Sequence, residues 1–157
     1  MEELVNVAYV NPFIQAGIDV LAQLVGGGAE RGQLAARSAL VTSQPVSIAV
    51  GVAGQLSGQV LYGMSQVTAT KIASAMIGTP LITFDERAAG AISELGNIIA
   101  GNAMSLLAES GYACDLTPPT LIRGVHVEIG TQLPALVVPL YAVCGKIEMH
   151  VAMTESA

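Results

Sequence analysis

The sequence predicts an α+β fold: a mostly antiparallel sheet with long helices packed on one face. Three observations carry that prediction. Blocks whose apolar residues recur at helical spacing are separated from Val- and Ile-rich blocks broken by turn residues. The blocks run in the order helix, strands, two helices, strands, which suits helices gathered on one side of a sheet. No linker-like stretch divides the 157 residues, a length that can bury a core of its own, so residues 1–157 are read as one domain.

The first helix is expected to open at Asn11 and Pro12, an N-cap followed by the residue best suited to the first helical position. Phe13, Ile14, Ile18, Leu21 and Val25 then form an apolar stripe, and Gly26 to Gly28 end it. From Ala39 the pattern changes. "VSIAVGVAG" and "GQVLYGMS" read as two adjacent antiparallel strands with a turn at Gly54 to Gly58. "QVTATKIASAMIG" returns to helical spacing through Val67, Ile72, Ala75 and Met76, with Gly78 as its C-cap. After a loop through Pro80 comes the longest helix, about Asp85 to Glu109. Asp85 and Glu86 suit its positive N-terminal end, and Gly111 closes it.

Beyond "TPPT" the chain turns to strands again: "LIRGVHVEI", "ALVVPLYAV" and "KIEMHVAM". In the last, Ile147, Met149 and Val151 point one way, and Glu148 and His150 the other. Pro139 inside the middle segment implies an edge or a bulge. The repeated order of helix then strands hints at an internal duplication, in which Asp19 and Ala22 would stand where Glu94 and Asn97 stand.

Composition narrows the function classes. Hydrophobic residues make up 52% and charged residues 11%, which excludes a disordered chain. The net charge of -6, with six basic residues spread along the chain, argues against nucleic acid as partner. A mean hydropathy of +0.61 raises the question of a membrane span. The run between Arg37 and Lys71 has no formal charge, yet Gln44, Pro45, Ser47, Gly51, Gly54, Gln55, Ser57, Gly58 and Gln59 interrupt it. A span needs ~20 mostly apolar residues, so membrane insertion is not expected. "MEELVNV" lacks the basic start of a secretion signal, and a cytoplasmic location is expected. Cys114 and Cys144 lie far apart and read as two reduced, buried thiols; His126 and His150 are isolated, so no metal site is expected.

One pair asks for an explanation. On a helical wheel Ile92, Leu95, Ile99, Ala103 and Leu106 fall on one side of the long helix and form its core stripe. Gly90, Glu94, Asn97, Gly101, Met104, Ser105 and Ala108 fall on the other. A glycine within a helix costs ~1 kcal/mol relative to alanine, so a merely solvated face would rarely hold two. Small residues let another backbone approach, which makes this face a docking surface with a polar pair at its centre; the alternative is a solvent face on which Glu94 and Asn97 are incidental. Their Cβ atoms would lie ~5–6 Å apart. The carboxylate can grip a cation on a partner. The amide both donates and accepts, and so can orient a water for in-line attack on a phosphoryl group. No nucleophile elbow or glycine-rich phosphate loop accompanies the pair.

"DERAAGAISELGNIIAGNA", with "TPPT" downstream, resembles the CheX group of the CheC/CheX/FliY phosphatases of bacterial chemotaxis. The likeness rests on Glu-x-x-Asn at Glu94 and Asn97 in a long exposed helix, followed by Pro118–Pro119. It extends to "VNPFIQAGIDVL" and "VGVAGQLSGQVLYGMSQVTATKIASAMIG", and so covers most of the chain. The resemblance implies a CheC/CheX-like fold and an enzyme that hydrolyses the aspartyl-phosphate of a CheY-like response regulator. Glu94 would pair with the regulator's active-site lysine, and Asn97 would position the attacking water. Gly90, Gly101 and Met104 would belong to the docking face. Mg²⁺ would sit on the regulator, and this chain would need no cofactor of its own. The resemblance also implies a homodimer joined through its sheets, and the C-terminal strands carry more apolar residues than one helix layer is expected to cover: Leu136, Val138, Leu140, Ile147 and Val151.

Two departures stand out. The family usually has Ser or Asp four residues before the Glu, where this chain has Gly90; and the first helix carries Asp19-Val-Leu-Ala22 instead of a second Glu-x-x-Asn, which leaves one active centre per chain. The competing readings are a receiver-binding module of the same fold that does not hydrolyse, and a structural domain with an incidental polar pair.

Overall fold

The computed structural model of the chain describes residues 7–129 and 133–156. The first six residues, which carry most of the "MEELVNV" read above as no signal, lie outside them. The first helix, α1 (Val7–Val25), begins a turn earlier than its Asn11–Pro12 signal predicts, and Pro12 sits inside it. Early in a helix a proline withholds only one bonded N–H, and burial of Tyr9 and Val10 favours helix upstream of it. After Gly26 and Gly27, both at positive φ, come two short strands, β1 (Glu30–Arg31) and β2 (Ala35–Arg37). Then follow β3 (Val46–Gly54), β4 (Leu56–Met64), α2 (Gln66–Ile77), α3 (Glu86–Glu109), β5 (Cys114–Leu116), β6 (Thr120–Arg123), β7 (Ala135–Ala142) and β8 (Gly145–Glu155).

The strands form one eight-stranded antiparallel sheet in the order β1-β7-β8-β4-β3-β5, with β2 also on β7 and β6 also on β3. The predicted hairpin of "VSIAVGVAG" and "GQVLYGMS" is present in register from Val46↔Met64 to Val52↔Gly58. Its reversal is tighter than expected, because β4 already begins at Leu56. "LIRGVHVEI" is strand only as far as Arg123; Gly124 turns at φ 130°, and beyond it Glu128 makes a single bridge to Val41.

Pro139 lies neither on a bare edge nor in a bulge. β1 pairs with Leu140 and Tyr141, β2 pairs with Ala135 to Val137, and Pro139 falls in the gap between them. Its carbonyl accepts from Gly32 N at 2.7 Å, while the N–H that proline lacks is not needed there.

All three helices pack on one face. There Val46, Ile48, Val60, Tyr62, Met149 and Val151 meet Phe13, Leu21, Ile72, Leu95 and Ile99 in the main core. Val138, Leu140, Ile147 and Val151, expected to leave apolar surface uncovered, are buried in it, and Leu136 packs half-buried against it. α1 covers them: a Cβ placed on Gly17 would stand 2.9 Å from Leu140 Cδ1. These side chains therefore give no reason for a second copy.

The other face carries a smaller cluster of Leu40, Ala49, Leu61, Ala135 and Ala152. The segments on either side of Val41 and Val127 cover it. Buried Thr42 ties them together, its hydroxyl donating to Gly124 O at 3.1 Å and accepting from Val127 N at 2.9 Å. Among the described residues no helix is long and apolar enough to cross a membrane, and the uncharged run between Arg37 and Lys71 is largely β3, β4 and the start of α2.

Candidate functional site

The site is built on α3. Asp85 caps it, its carboxylate accepting from Ala88 N at 3.0 Å, and that bond holds the Asp85 carboxyl below the usual range. At the other end Gly111 adopts φ 98° and Tyr112 N bonds back to Leu107 O at 2.9 Å, so Gly111 does turn the chain out of the helix. Between these ends Ile92, Leu95, Ile99 and Ala103 are buried as the wheel predicts. Leu107 completes the stripe, and Leu106 is only half-buried against α1's side.

The helix presses closely on the sheet at Gly96. A Cβ there would come within 2.6 Å of Ile48 Cγ2. Ile48 lies opposite Leu121 of β6, and the Pro118–Pro119 connector joins β5 to β6 along the β3 edge of the sheet. The sequence reading overlooked Gly96 among its neighbouring glycines; only the path of β3 gives it a task.

Glu94 and Asn97 are both exposed and point away from the sheet. Among the described residues neither side chain makes a hydrogen bond or an ion pair. Gly90, one turn before Glu94, and Gly101, one turn after Asn97, have nothing within 4 Å of where a Cβ would stand. Met104 is half-buried at the rim of this face. The result is an open ridge with a free carboxylate and a free amide on adjacent turns. It can enter another molecule's cleft, and it cannot enclose a small molecule.

The α1 counterpart differs. Asp19 accepts from Gln15 Nε2 at 2.8 Å, and with Ala22 it lines a shallow groove shared with Asn102, Ser105 and Glu109 of α3. Asp19 is thus engaged on its own helix, with no amide beside it at Ala22.

Sequence reasoning missed one polar cluster, on the opposite face of the sheet. His150 is 4% exposed. Its Nε2 lies 3.2 Å from Glu148 Oε1 and 3.4 Å from Ser43 Oγ, and Ser43 donates to the same carboxylate. Burial pulls the His150 pKa down against the pull of Glu148. Burial also works to raise Glu148, but bonds from Ser43, His150 and Lys146 outweigh it and leave that carboxyl low. A nucleophile relay needs serine and acid on different ring nitrogens. Here both share Nε2, and among the described residues Nδ1 has no partner. The arrangement fastens Ser43 to β8. The partners are 105 and 107 residues apart, so no local signal could have shown it.

Cys144 is buried, which pushes its thiol up, whereas Cys114 is only half-buried, contrary to expectation; both are free. No group of three or more His, Cys, Asp or Glu side chains is placed to hold a metal among the described residues.

Residues 46–140 match the family described as chemotaxis phosphatase CheX, a span that includes Glu94 and Asn97. The CheY-P phosphatase CheX of Thermotoga maritima is 31% identical over 121 residues, which cover 76% of this chain and 78% of that protein. Among solved structures, a CheX-CheY-BeF3-Mg²⁺ complex from Borrelia burgdorferi matches at 33% identity and TM-score 0.77, over 94% of this chain and 98% of the matched one. A CheC-like superfamily protein from Shewanella sp. PV-4 matches at TM-score 0.84 and 22% identity, over 96% and 99%. That last likeness speaks for the fold, and the first three together with the sheet order and the α3 ridge establish the kinship: the chain belongs to the CheX family of chemotaxis phosphatases.

Proposed function

We propose that this chain dephosphorylates a CheY-like response regulator, with α3 entering the regulator's active site. The observation that carries the reading is the free pair on α3: Glu94 and Asn97, exposed, unbonded and flanked by glycines with open space above them. The Thermotoga relative is a CheY-P phosphatase, and the Borrelia structure pairs a CheX with CheY, BeF3 and Mg²⁺; both support it.

Glu94 makes a charge-assisted contact with a regulator lysine. Asn97 holds a water in line with the phosphorus–oxygen bond of the aspartyl-phosphate. Water attacks the phosphorus, inorganic phosphate leaves, and the regulator's aspartate is restored as a carboxylate. Mg²⁺ belongs to the regulator. Gly90, Gly101 and Met104 border the contact. Residues 1–157 act as one domain, and the chain assembles as a homodimer through sheet edges. The support for the dimer is family resemblance, since the apolar C-terminal strands are covered within the chain. A monomeric mass by light scattering at tens of micromolar would remove the dimer without touching the chemistry.

The test is phosphate release from a phosphorylated receiver, paired with binding to a receiver carrying beryllofluoride. Asn97→Ala should lose most of the acceleration and keep binding. Glu94→Ala should weaken both. Gly90→Ser should keep or raise activity. Full activity in Asn97→Ala would eliminate the water-positioning role. The second reading, binding without hydrolysis, is favoured by one sequence feature, Gly90 where the family resemblance implies Ser or Asp; binding with no acceleration by the unaltered chain would select it.

A further inference from the structure

The α3 ridge has little apolar surface of its own. Its central positions are a carboxylate, an amide and two glycines. A specific complex buries ~800 Å² on each partner, a patch roughly 30 Å across, so the ridge needs an apolar neighbour. A groove beside it supplies one.

The connection between α2 and α3 folds back along the outward side of α2, tethered by Leu81 N donating to Ser74 Oγ at 2.9 Å. A groove of about 940 Å³ opens between the two, with Val67, Lys71, Ala75, Leu81, Ile82 and Phe84 among its lining. Ile82 is 96% exposed and Val67 64% exposed, far more than an isolated chain gains by showing. The groove runs straight into the Asp85 cap of α3. At 1.5 Å rise per residue, Phe84 lies only ~15 Å along the axis from Glu94, inside one standard patch. α2 buries Thr68, Ala69, Ile72 and Ala73 on the opposite side, so groove and ridge both face away from the sheet.

Charge points the same way. The chain is acidic overall, yet three of its six basic residues gather here. Lys71 lines the groove and makes no salt bridge among the described residues. The Arg123 guanidinium lies 4.6 Å from the centre of the Phe84 ring, and Arg87, on the first turn of α3 beside Glu86, is paired with Asp85 at 3.3 Å, so Lys71 and Arg123 carry the local positive charge. A phosphorylated receiver has an acidic active site, which Lys71 and Arg123 would attract.

We infer that this groove is a second contact for the same phosphorylated receiver that α3 addresses, taking an apolar element flanked by carboxylates from beside the receiver's active site. The inference rests on the proposed function above. In it α3 supplies the chemistry, and the groove supplies affinity and partner choice. Changes in the groove therefore act on KM and leave kcat alone.

The experiment compares the full chain with Ile82→Asp, Val67→Asp and Val125→Asp. Val125 is 46% exposed, in the loop over the other face of the sheet, and serves as control. Receiver dephosphorylation gives KM and kcat, and titration with a beryllofluoride-bearing receiver gives Kd. Ile82→Asp and Val67→Asp should each raise KM and Kd about tenfold, as loss of an interface anchor does, with kcat within about twofold. Val125→Asp should match the unaltered chain. If Ile82→Asp and Val67→Asp behave like Val125→Asp while the unaltered chain is active, the groove inference falls and the proposed function stands. If they break self-association without changing the receiver Kd, a second copy fills the groove and the inference falls. If the unaltered chain neither binds nor accelerates any receiver, both fall.

Discussion

The two faces of α3 use glycine for opposite ends. On the inner face Gly96 lets the helix settle on β3, with Ile48 Cγ2 where a Cβ would collide. On the outer face Gly90 and Gly101 have open space where a Cβ would stand. Each lowers helix propensity by a comparable amount, ~1 kcal/mol. Gly96 recovers that through close packing of helix on sheet. Gly90 and Gly101 recover nothing within the monomer, which is what a surface kept clear for another molecule looks like. The contrast extends to the residues beside them: Leu95 is buried in the core, and Glu94 and Asn97, proposed above to carry the chemistry, are exposed.

The sharpest test of this division is truncation at the centre of the inner face. Leu95→Ala should lose ~2–5 kcal/mol in denaturant unfolding, the cost of a cavity in a close-packed core. A loss under ~1 kcal/mol, within the range of surface changes, would mean that the helix does not sit on the sheet as described.

A smaller effect comes from making the same substitution on both faces. Gly96→Ala sets a methyl against Ile48, an overpacking cost of ~1–3 kcal/mol that exceeds or cancels the ~1 kcal/mol gain in propensity. Gly101→Ala has open space and should gain up to ~1 kcal/mol, while weakening receiver binding by holding the partner's backbone away. In chemical melts Gly101→Ala should rise, while Gly96→Ala should fall or stay unchanged. Equal shifts would erase the distinction between the faces.

The smallest expected effect concerns the polar pair. Glu94→Ala and Asn97→Ala should leave stability within ~0.5 kcal/mol, as surface substitutions do. A melting point as depressed as that of Leu95→Ala would place either side chain in the fold and not on the free ridge.

The same division separates what was legible in the residues from what was not. Sequence by itself determined the elements whose signals are local. Gly78 ends α2 in the left-handed conformation at φ 82°, as its C-cap signal predicts. Asp85 caps α3, and the Val- and Ile-rich β3–β4 hairpin forms in register. The outward placement of Glu94 and Asn97 followed from the period of the helix, because 3.6 residues per turn separates them from Ile92, Leu95 and Ile99 whatever lies around.

Tertiary structure decided the rest. β1, β2 and β5 hold two or three residues each, too few for any periodicity to register. Pro139 is tolerated because two short strands leave a gap opposite it. The start of α1 was set by burial of Tyr9 and Val10 against the strength of the Pro12 signal. The apolar C-terminal strands found their cover in α1, more than a hundred residues upstream. The meeting of Ser43 with Glu148 and His150, and that of Arg123 with Phe84 at the start of α3, likewise join residues distant in the chain. A helix's exposed face is written in the spacing of its own residues; what a sheet brings together depends on strand order, and strand order is written in no single segment.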